Sequence, residues 1–328
     1  MIYIKPWFYD SFKCTNSKCT DNCCIGWEID VDDETLSKYN QVKGDFGKKI
    51  SENLIESDDG STCFRLCENE RCAFLNKDNL CDIIINCGKD HLCDICREHP
   101  RFYEWFFGVT ECGLGLCCEE VCRVLLESGE DFFLMEYNDG QEISLQEKDE
   151  VAESDRYIFI SAFRESLFDI LSDKTLLFEQ KLVKILSKTE SFTGEKIKLR
   201  NDKKLISLYM KTEPIDESWE KFIIDMNSVE TGDTLILWKQ NNEIYSKLLA
   251  YILYRHLIKS VFDGCVTQRV CFAVESLRFI TMCDMKNYNE KGSISLTERI
   301  DNIKRWSKQI EYSEENTELL IFGEEING

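Results

Sequence analysis

Proline, glycine and histidine are scarce in this chain, with 3, 16 and 3 occurrences among 328 residues. So few prolines and glycines, beside 43% hydrophobic and 12% aromatic residues, exclude a disordered or fibrous protein. Basic residues are also few, since 40 lysines and arginines face 61 aspartates and glutamates, which gives a formal charge of -21. This charge argues against nucleic acid as a partner. It would attract cationic ligands, lysine-bearing protein surfaces among them.

The chain also lacks a hydrophobic run of the roughly 18 residues that a membrane helix needs. The longest candidate, residues 248–262, is interrupted by Arg255 and Lys259. The first ten residues contain no apolar run of signal-peptide length and reach Lys5 and Pro6 at once. We therefore expect a cytoplasmic protein that does not associate with a membrane.

Cysteine, in contrast, is abundant, and 15 of the 18 cysteines lie between Cys14 and Cys122. In a reducing compartment thiols stay free or bind metal, so this clustering favours a metal-binding region over a disulfide-stapled secreted protein. The cysteines form three groups: Cys14, Cys19, Cys23 and Cys24; Cys63, Cys67, Cys72, Cys81, Cys87, Cys93 and Cys96; and Cys112, Cys117, Cys118 and Cys122.

The spacing of these cysteines favours iron-sulfur ligation and leaves zinc as the alternative metal. Only Cys93 and Cys96 have the two-residue gap of a zinc knuckle, and a zinc ribbon would show two such pairs. Irregular spacing suits an iron-sulfur cluster, whose ligands come from separated loops. Adjacent side chains on an extended backbone point in opposite directions, so Cys23 and Cys24 serve two centres, or one binds metal and the other packs.

Other catalytic motifs are absent, since the sequence contains no phosphate-binding loop, dinucleotide fingerprint or nucleophile elbow. Near the second cysteine group, Arg97 and Arg101 flank His99. These arginines could bind a carboxylate or other anion, or they could steady a cysteine loop. If a helix begins near Cys117, Cys118 and Cys122 share one of its faces.

The second half of the chain has the periodicity of amphipathic helices. Apolar residues recur at helical steps in 157–171, 176–187 and 296–310, and 248–262 and 270–282 are apolar almost all round. Ser295 and Glu298 form a capping-box pattern, and Gly264 is placed to end a helix. We predict a mainly α protein with a cysteine-rich, loop-rich metal-binding domain in 1–126, a connector in 127–155 and a helical domain in 156–328. Residues 132–134 could form a short strand in the connector.

Three blocks of the first 123 residues resemble the flagellin lysine-N-methylase family, proteins with a cysteine cluster that chelates zinc or iron. The blocks are Cys14 to Trp27, then Cys72 to Leu75 with Cys81, Cys96 and Arg101, and finally Leu116 to Arg123. The positions that match are Cys14, Cys19, Cys23, Cys24, Cys72, Cys81, Cys96 and Cys118. The sequence departs from the family pattern at His99 and Glu119, and six further cysteines look like additions to it.

This resemblance implies methyl transfer from S-adenosylmethionine to lysine side chains of flagellin. It also implies one or two 4Fe-4S clusters, with the eight matching cysteines as the candidate ligands. We assign Trp27, Arg97 and Arg101 to cofactor binding, and the sequence identifies no catalytic base. The principal alternative is a non-enzymatic metal-binding or redox-sensing module whose helical half binds a partner.

Overall fold

The computed structural model describes residues 1–26, 28–57, 60–140, 148–226 and 234–323. Helices predominate in this part of the chain, and the cysteine-rich region contains small sheets and loops, so the predicted fold class is confirmed. The helices are α1 (Asp33–Tyr39), α2 (Gly44–Glu52), α3 (Asp82–Cys87), α4 (Asp94–Glu98), α5 (Glu119–Glu127), α6 (Lys148–Ser172), α7 (Phe178–Thr193), α8 (Asp202–Tyr209), α9 (Ser218–Met226), α10 (Thr234–Gln240), α11 (Asn242–Leu257), α12 (Ser260–Asp263), α13 (Val266–Lys291), α14 (Leu296–Ile310) and α15 (Glu314–Phe322). The strands are β1 (Ile2–Pro6), β2 (Leu54–Glu56), β3 (Thr62–Phe64), β4 (Leu66–Cys67), β5 (Arg71–Cys72), β6 (Arg101–Phe106), β7 (Val109–Leu114) and β8 (Leu134–Asn138).

These elements form two compact units. The cysteine unit comprises Lys13–Phe102 and Cys118–Glu120, and the helical unit comprises Met1–Phe12, Tyr103–Cys117 and Val121–Gly328. The units differ from the predicted segments 1–126, 127–155 and 156–328. The physical reason is strand pairing, because β1 is parallel to β7 and antiparallel to β8. Because of that pairing, β1 at the start of the chain belongs to the helical unit together with β7 and β8.

The helical unit is built around α11 and α13. Helix α11 is buried continuously from Tyr245 to Leu257, and α13 is buried on most of its circumference. A helix that is apolar on every side needs cover from several neighbours. Helices α6, α7, α10 and α14 provide that cover by packing against one or both of them. Within the described residues, no helix has both the length and the apolar character to cross a membrane.

Two helix boundaries show how the sequence determines these elements. The hydroxyl of Ser295 accepts a hydrogen bond of 3.3 Å from the Glu298 amide, and the Glu298 carboxylate accepts one of 2.8 Å from the Ser295 amide. This reciprocal pair starts α14, which confirms the predicted capping box. Gly264, with a φ of +72°, ends α12. The predicted helix over 248–262 is divided into α11 and α12 by a turn at Ile258 and Lys259.

A four-stranded sheet in the order β6-β7-β1-β8 packs against the helices. Buried Glu111 of β7 accepts two hydrogen bonds of 2.7 Å from Arg164 of α6 and one of 2.8 Å from the Tyr157 hydroxyl. Phe106 of β6 contacts the same tyrosine, with ring centroids 4.8 Å apart. These contacts define the helix-facing side of the sheet. The sequence analysis predicted no strand here other than the one near residues 132–134.

The cysteine unit consists of short elements around a small aromatic core. The rings of Phe64 and Phe74 lie 4.7 Å apart, and the ring of Tyr39 lies 5.9 Å from that of Phe64. Asp32 accepts hydrogen bonds from the amides of Thr35 and Asp94, at 2.8 and 2.9 Å, and so joins the starts of α1 and α4. Such side-chain caps replace the regular packing that longer helices would provide.

Candidate metal centre

Five cysteines of the cysteine unit lie at one buried apolar cluster, and we call them the inner thiol group. Cys72 and Cys93 belong to the cluster, with 6% and 0% of their surface exposed. Cys24, Cys81 and Cys96 are partly buried and pack against it. The inner thiol group therefore draws on the first two cysteine groups of the sequence.

Local backbone structure brings these thiols together. The Cys72 amide in β5 donates a hydrogen bond of 2.9 Å to the Cys24 carbonyl. Cys81 immediately precedes α3, Cys93 immediately precedes α4, and Cys96 follows within the first turn of α4. The amides at the start of these helices donate to the sulfurs of Cys81 and Cys93. Helix starts favour thiolates. Burial nevertheless outweighs these amides at Cys81 and raises its pKa, whereas the pKa of Cys93 is lowered by its hydrogen bond with Cys96 and by the amides.

The thiols of the inner group oppose one another's ionisation. The hydrogen bond with Cys23, burial, and the neighbouring charges of Cys72 and Cys81 all raise the pKa of Cys24. Burial raises the pKa of Cys72 to about 11, with further contributions from nearby thiols. The hydrogen bond between Cys93 and Cys96 raises the pKa of Cys96 and lowers that of Cys93, so one proton serves both. A bound cation would remove this repulsion, as metal binding displaces thiol protons.

The donor set fits a thiolate-binding metal. Sulfur ligands suit zinc and iron-sulfur clusters, and the five thiols come from separated loops in an otherwise apolar environment. Among the described residues, no three cysteine, histidine, aspartate or glutamate side chains are placed so that they could hold one metal ion together. The inner thiol group is thus a cluster of suitable donors and not a finished coordination shell.

We call the other four cysteines of the family blocks the outer thiol group: Cys14, Cys19, Cys23 and Cys118. The Cys19 sulfur lies 3.9 Å from Oε2 of Glu119, which directly follows Cys118. The same carboxylate oxygen accepts a hydrogen bond of 3.1 Å from the Thr20 amide. Burial, opposed by a backbone hydrogen bond, raises the pKa of Cys19. The first and third cysteine groups of the sequence are therefore adjacent here.

The adjacent pair Cys23 and Cys24 divides between the two groups. Cys23 is exposed, whereas Cys24 packs on the buried cluster of the cysteine unit. The two thiols nevertheless share a hydrogen bond, so different roles for them stay a prediction. Cys118 and Cys122 also separate, because α5 begins after Cys118. Cys118 groups with the cysteine unit, whereas Cys122 is buried in the helical unit, where its sulfur donates a hydrogen bond of 3.1 Å to the Leu116 carbonyl.

Two of the three residues assigned to cofactor binding, Arg97 and Arg101, lie in the described part of the chain. Trp27 lies outside the described residues. Arg97 forms ion pairs with Asp94 and Glu98 on its own helix, and Arg101 is partly exposed at the start of β6. Arg97 also donates a hydrogen bond of 3.3 Å to the Leu92 carbonyl, which steadies the turn that leads into Cys93. Cofactor binding by these three residues stays a prediction.

Cys93 belongs to the inner thiol group but was not among the predicted ligands. Its two-residue spacing from Cys96 could have indicated a ligand, but Cys93 lies outside the family blocks. Of the additional cysteines, Cys112 and Cys117 are buried in the helical unit. No disulfide is described among the eighteen cysteines, each of which lies in a described segment.

Comparison with known proteins gives three relatives of low identity. The chain is 28% identical over 127 residues to the flagellar biosynthetic protein FliU of Salmonella muenchen, which covers 37% of this chain and 75% of that protein. It is 28% identical over 138 residues to the lysine-N-methylases of Salmonella typhimurium and Salmonella choleraesuis. That match covers 40% of this chain and 34% of each methylase, so the chain matches about a third of the methylases' length. These names confirm the family resemblance of the cysteine blocks.

No protein-family model matches the chain, and no solved structure matches it.

Proposed function

We propose that this protein is a cytoplasmic iron-sulfur methyltransferase that moves methyl groups from S-adenosylmethionine to lysine side chains of flagellin. The observation that carries the proposal is the inner thiol group, five cysteines gathered at one buried cluster. The similarity to proteins named lysine-N-methylase and flagellar biosynthetic protein supplies the reaction and the substrate class.

The proposed reaction is a direct transfer. The neutral lysine Nζ attacks the sulfonium methyl carbon, so that an N–C bond forms while the S–C bond breaks. S-adenosylhomocysteine leaves, and a base accepts the proton from the nitrogen. Lysine must first lose its own proton, which burial beside the cofactor would favour by lowering its pKa. The excess of acidic over basic residues, 61 against 40, favours the approach of a lysine-rich substrate.

In this proposal the inner thiol group holds a 4Fe-4S cluster. Cys24, Cys72, Cys81, Cys93 and Cys96 supply more sulfurs than the four such a cluster needs, which leaves one to pack or to donate a hydrogen bond. The outer thiol group holds a second cluster or ties loops together, and zinc is the alternative metal for either group. When bound, a cluster with an open iron position would bind the cofactor, whereas a fully ligated one would only fix the surrounding loops.

The first test measures iron, zinc and acid-labile sulfide, with a visible absorption spectrum, on protein purified anaerobically. About four irons and four sulfides per cluster, with a broad band that dithionite bleaches, are expected. The second test follows radiolabelled methyl groups from S-adenosylmethionine into flagellin, with flagellin whose lysines are acetylated as the matched control. Zinc without sulfide would overturn the iron-sulfur part, and no lysine-dependent transfer by metal-replete protein would overturn the methyltransferase part.

A second candidate function, redox sensing, is favoured by the pair Cys93 and Cys96. Their thiols share a hydrogen bond, and that bond lowers the pKa of Cys93 at the start of α4. Such a pair resembles the paired thiols of redox-active sites. Calorimetric titration with S-adenosylmethionine separates the candidates, since the methyltransferase binds the cofactor in its metal-loaded form and a redox sensor does not. Reversible oxidation of this pair by peroxide, without cofactor binding, would favour the sensor.

A further inference from the structure

One face of the four-stranded sheet in the helical unit is aromatic and turned away from the helices. Glu111, Phe106 and Glu104 point to the helix side, where they contact Arg164, Tyr157 and Lys259. Successive side chains of a strand alternate between the two faces of a sheet. Tyr103 and Trp105 of β6 therefore lie on the opposite face, as does Thr110 of β7.

The strand register extends this opposite face across β1 and β8. Tyr3 pairs with Thr110 on one side and with Tyr137 on the other, and Lys5 pairs with Met135. We call Tyr3, Lys5, Tyr103, Trp105, Met135 and Tyr137 the aromatic face. Trp105 is 68% exposed and Tyr137 57% exposed, whereas most tryptophan surface in a folded protein is covered.

The aromatic face already holds one ammonium group. Nζ of Lys5 lies 5.8 Å from the ring centroid of Tyr137 and 5.8 Å from that of Tyr9. It also donates a hydrogen bond of 2.6 Å to Asp10, whose side chain is 62% exposed. Two tyrosine rings and one carboxylate around a lysine are the groups that recognise ammonium ions and methylated amines in proteins. Lys5 is thus an ammonium group held by rings and a carboxylate of this chain.

A second pair of rings on the face is placed for the same interaction. Tyr103 and Trp105 are stacked, with ring centroids 6.0 Å apart and planes at 22°. The Tyr103 hydroxyl lies 3.2 Å from the hydroxyl of Tyr9, which connects this pair to the rings around Lys5. Tryptophan offers the strongest cation–π attraction of any side chain. A face of this composition, on a chain of formal charge -21, complements a basic segment.

We propose that the aromatic face is the docking surface for a lysine-bearing protein segment, whose ammonium groups lie over Trp105 and Tyr137. This inference rests on the proposed function, because it assigns a place where the protein substrate of the methyl transfer is held. Binding at this face requires neither the metal nor the methyl donor. Its success or failure can therefore be measured independently of the reaction.

The test uses the full-length, metal-loaded protein and a fluorescent twelve-residue peptide of alternating serine and lysine, with no methyl donor present. The control peptide carries norleucine in place of lysine, which keeps the alkyl chain and removes the charge. We expect the lysine peptide to bind at least about ten-fold more tightly, since cation–π and ionic attraction need the ammonium. Equal binding of both peptides would reduce the face to a general apolar surface and overturn the proposal.

Substitutions then locate the binding. Trp105→Ala and Tyr137→Ala should each weaken the lysine peptide about three-fold, and the double variant about ten-fold, since each lost ring removes one cation–π contact. Tyr137→Phe retains the ring and should bind like wild type. Ile158→Ala, which truncates a 61% exposed side chain on α6, is the matched control and should have no effect. Wild-type binding by the double variant would overturn the proposal.

Other occupants of the face give distinct results. If the chain self-associates, and Trp105→Ala abolishes that association without changing peptide binding, the face joins two copies of the chain and the proposal is wrong. Lysine-dependent peptide binding without any methyl transfer keeps the docking surface and rejects the proposed function. If the double variant methylates flagellin with the same KM as wild type, the proposed function stands and the docking surface is rejected.

Discussion

The ion pair between Glu111 and Arg164 is the most fully buried one described in the helical unit. Their side chains are 2% and 1% exposed, and two hydrogen bonds of 2.7 Å join them. Glu111→Ala would leave the guanidinium buried without its carboxylate, a change that costs about 3–5 kcal/mol. We expect the free energy of unfolding, measured by urea denaturation, to fall by that amount.

Two controls separate burial from charge in this prediction. Glu127→Ala removes the partner of Arg123 in an exposed pair and should cost no more than about 1 kcal/mol. The double variant Glu111→Leu, Arg164→Met replaces both charges by apolar groups and should recover most of the loss. A loss below about 1 kcal/mol for Glu111→Ala would contradict the importance of this pair.

Buried His256 links the stability of the helical unit to pH. Its Nε2 lies 3.0 Å from Oε1 of Glu311, yet burial outweighs that carboxylate and lowers the pKa of His256 from 6.5 to about 4. Between these values the unfolded chain binds a proton that the folded chain does not. The free energy of unfolding should therefore fall as the pH drops from about 6.5 to about 4, and this residue should have no effect above that range.

Urea denaturation of His256→Asn across the same pH range checks this sign. The variant loses the titrating group, so its unfolding free energy should depend less steeply on pH than that of wild type, whatever its absolute value. Parallel curves for the two proteins would show that another group causes the dependence. Comparing slopes also removes the contribution of Asp284, which both proteins retain. Glu311 does not cancel in this way, because its hydrogen bond with His256 lowers its pKa, so a change in its titration is part of the measured effect.

Cys24 is the residue chosen to test the inner thiol group, because it packs on the buried cluster while its neighbour Cys23 is exposed. Serine keeps the size of cysteine but does not replace a thiolate ligand. Cys24→Ser should lower the iron content by about four atoms per chain, the content of one cluster. Cys271→Ser, in α13 of the helical unit, is the control and should retain all iron. Full iron content in Cys24→Ser would remove Cys24 from the ligands.

The start of α14 gives a prediction at the scale of one element. Ser295→Ala removes the hydroxyl that accepts the Glu298 amide and should cost about 1 kcal/mol of stability, measured by thermal unfolding. Ser295→Asp supplies another acceptor at the same position and should restore most of the loss. If both variants were equally destabilised, the capping contact would not contribute.

Helices were predictable from the sequence because their signals are local. The stripes of α6 and α14 recur every three or four residues, and a serine and a glutamate three residues apart are enough to mark the start of α14. The sheet was not predictable, because its pairing is not local. Tyr3 of β1 pairs with Thr110 of β7, which is far away in the sequence. The buried Glu111 also interrupts the apolar pattern of β7. Only the distant Arg164 makes that glutamate tolerable in the core.

The candidate metal centre was predictable in composition but not in arrangement. Cys24, Cys72, Cys81 and Cys96 were assigned from the family blocks, and all four lie in the inner thiol group. Cys93 lies among them for a reason that spacing alone does not give: a turn and the start of α4 direct it inward. Loop geometry, not sequence separation, decides which thiols meet. For the same reason the division into inner and outer groups was not foreseen.

At the scale of the whole molecule, the two units differ in what stabilises them. The helical unit buries two long helices, α11 and α13, on nearly all sides. The cysteine unit has helices of five to nine residues in α1–α4 and a cluster of nine buried hydrophobic side chains within its described residues. Metal binding to loops such as these is coupled to folding, and no disulfide is described among the cysteines of this unit.

Metal removal should therefore destabilise one unit and spare the other. We expect chelation of the anaerobic protein to raise amide hydrogen exchange in α3, α4 and the β4–β5 pair, while α11 and α13 stay protected, because only the former carry the inner thiol group. Exchange measured by mass spectrometry resolves the two units in the intact chain. In Cys24→Ser the same segments should exchange rapidly before any chelator is added, and chelation should change them little further. Equal exchange in wild type with and without metal would mean that the thiols bind metal without supporting the fold. That result would contradict a structural cluster and favour a catalytic one.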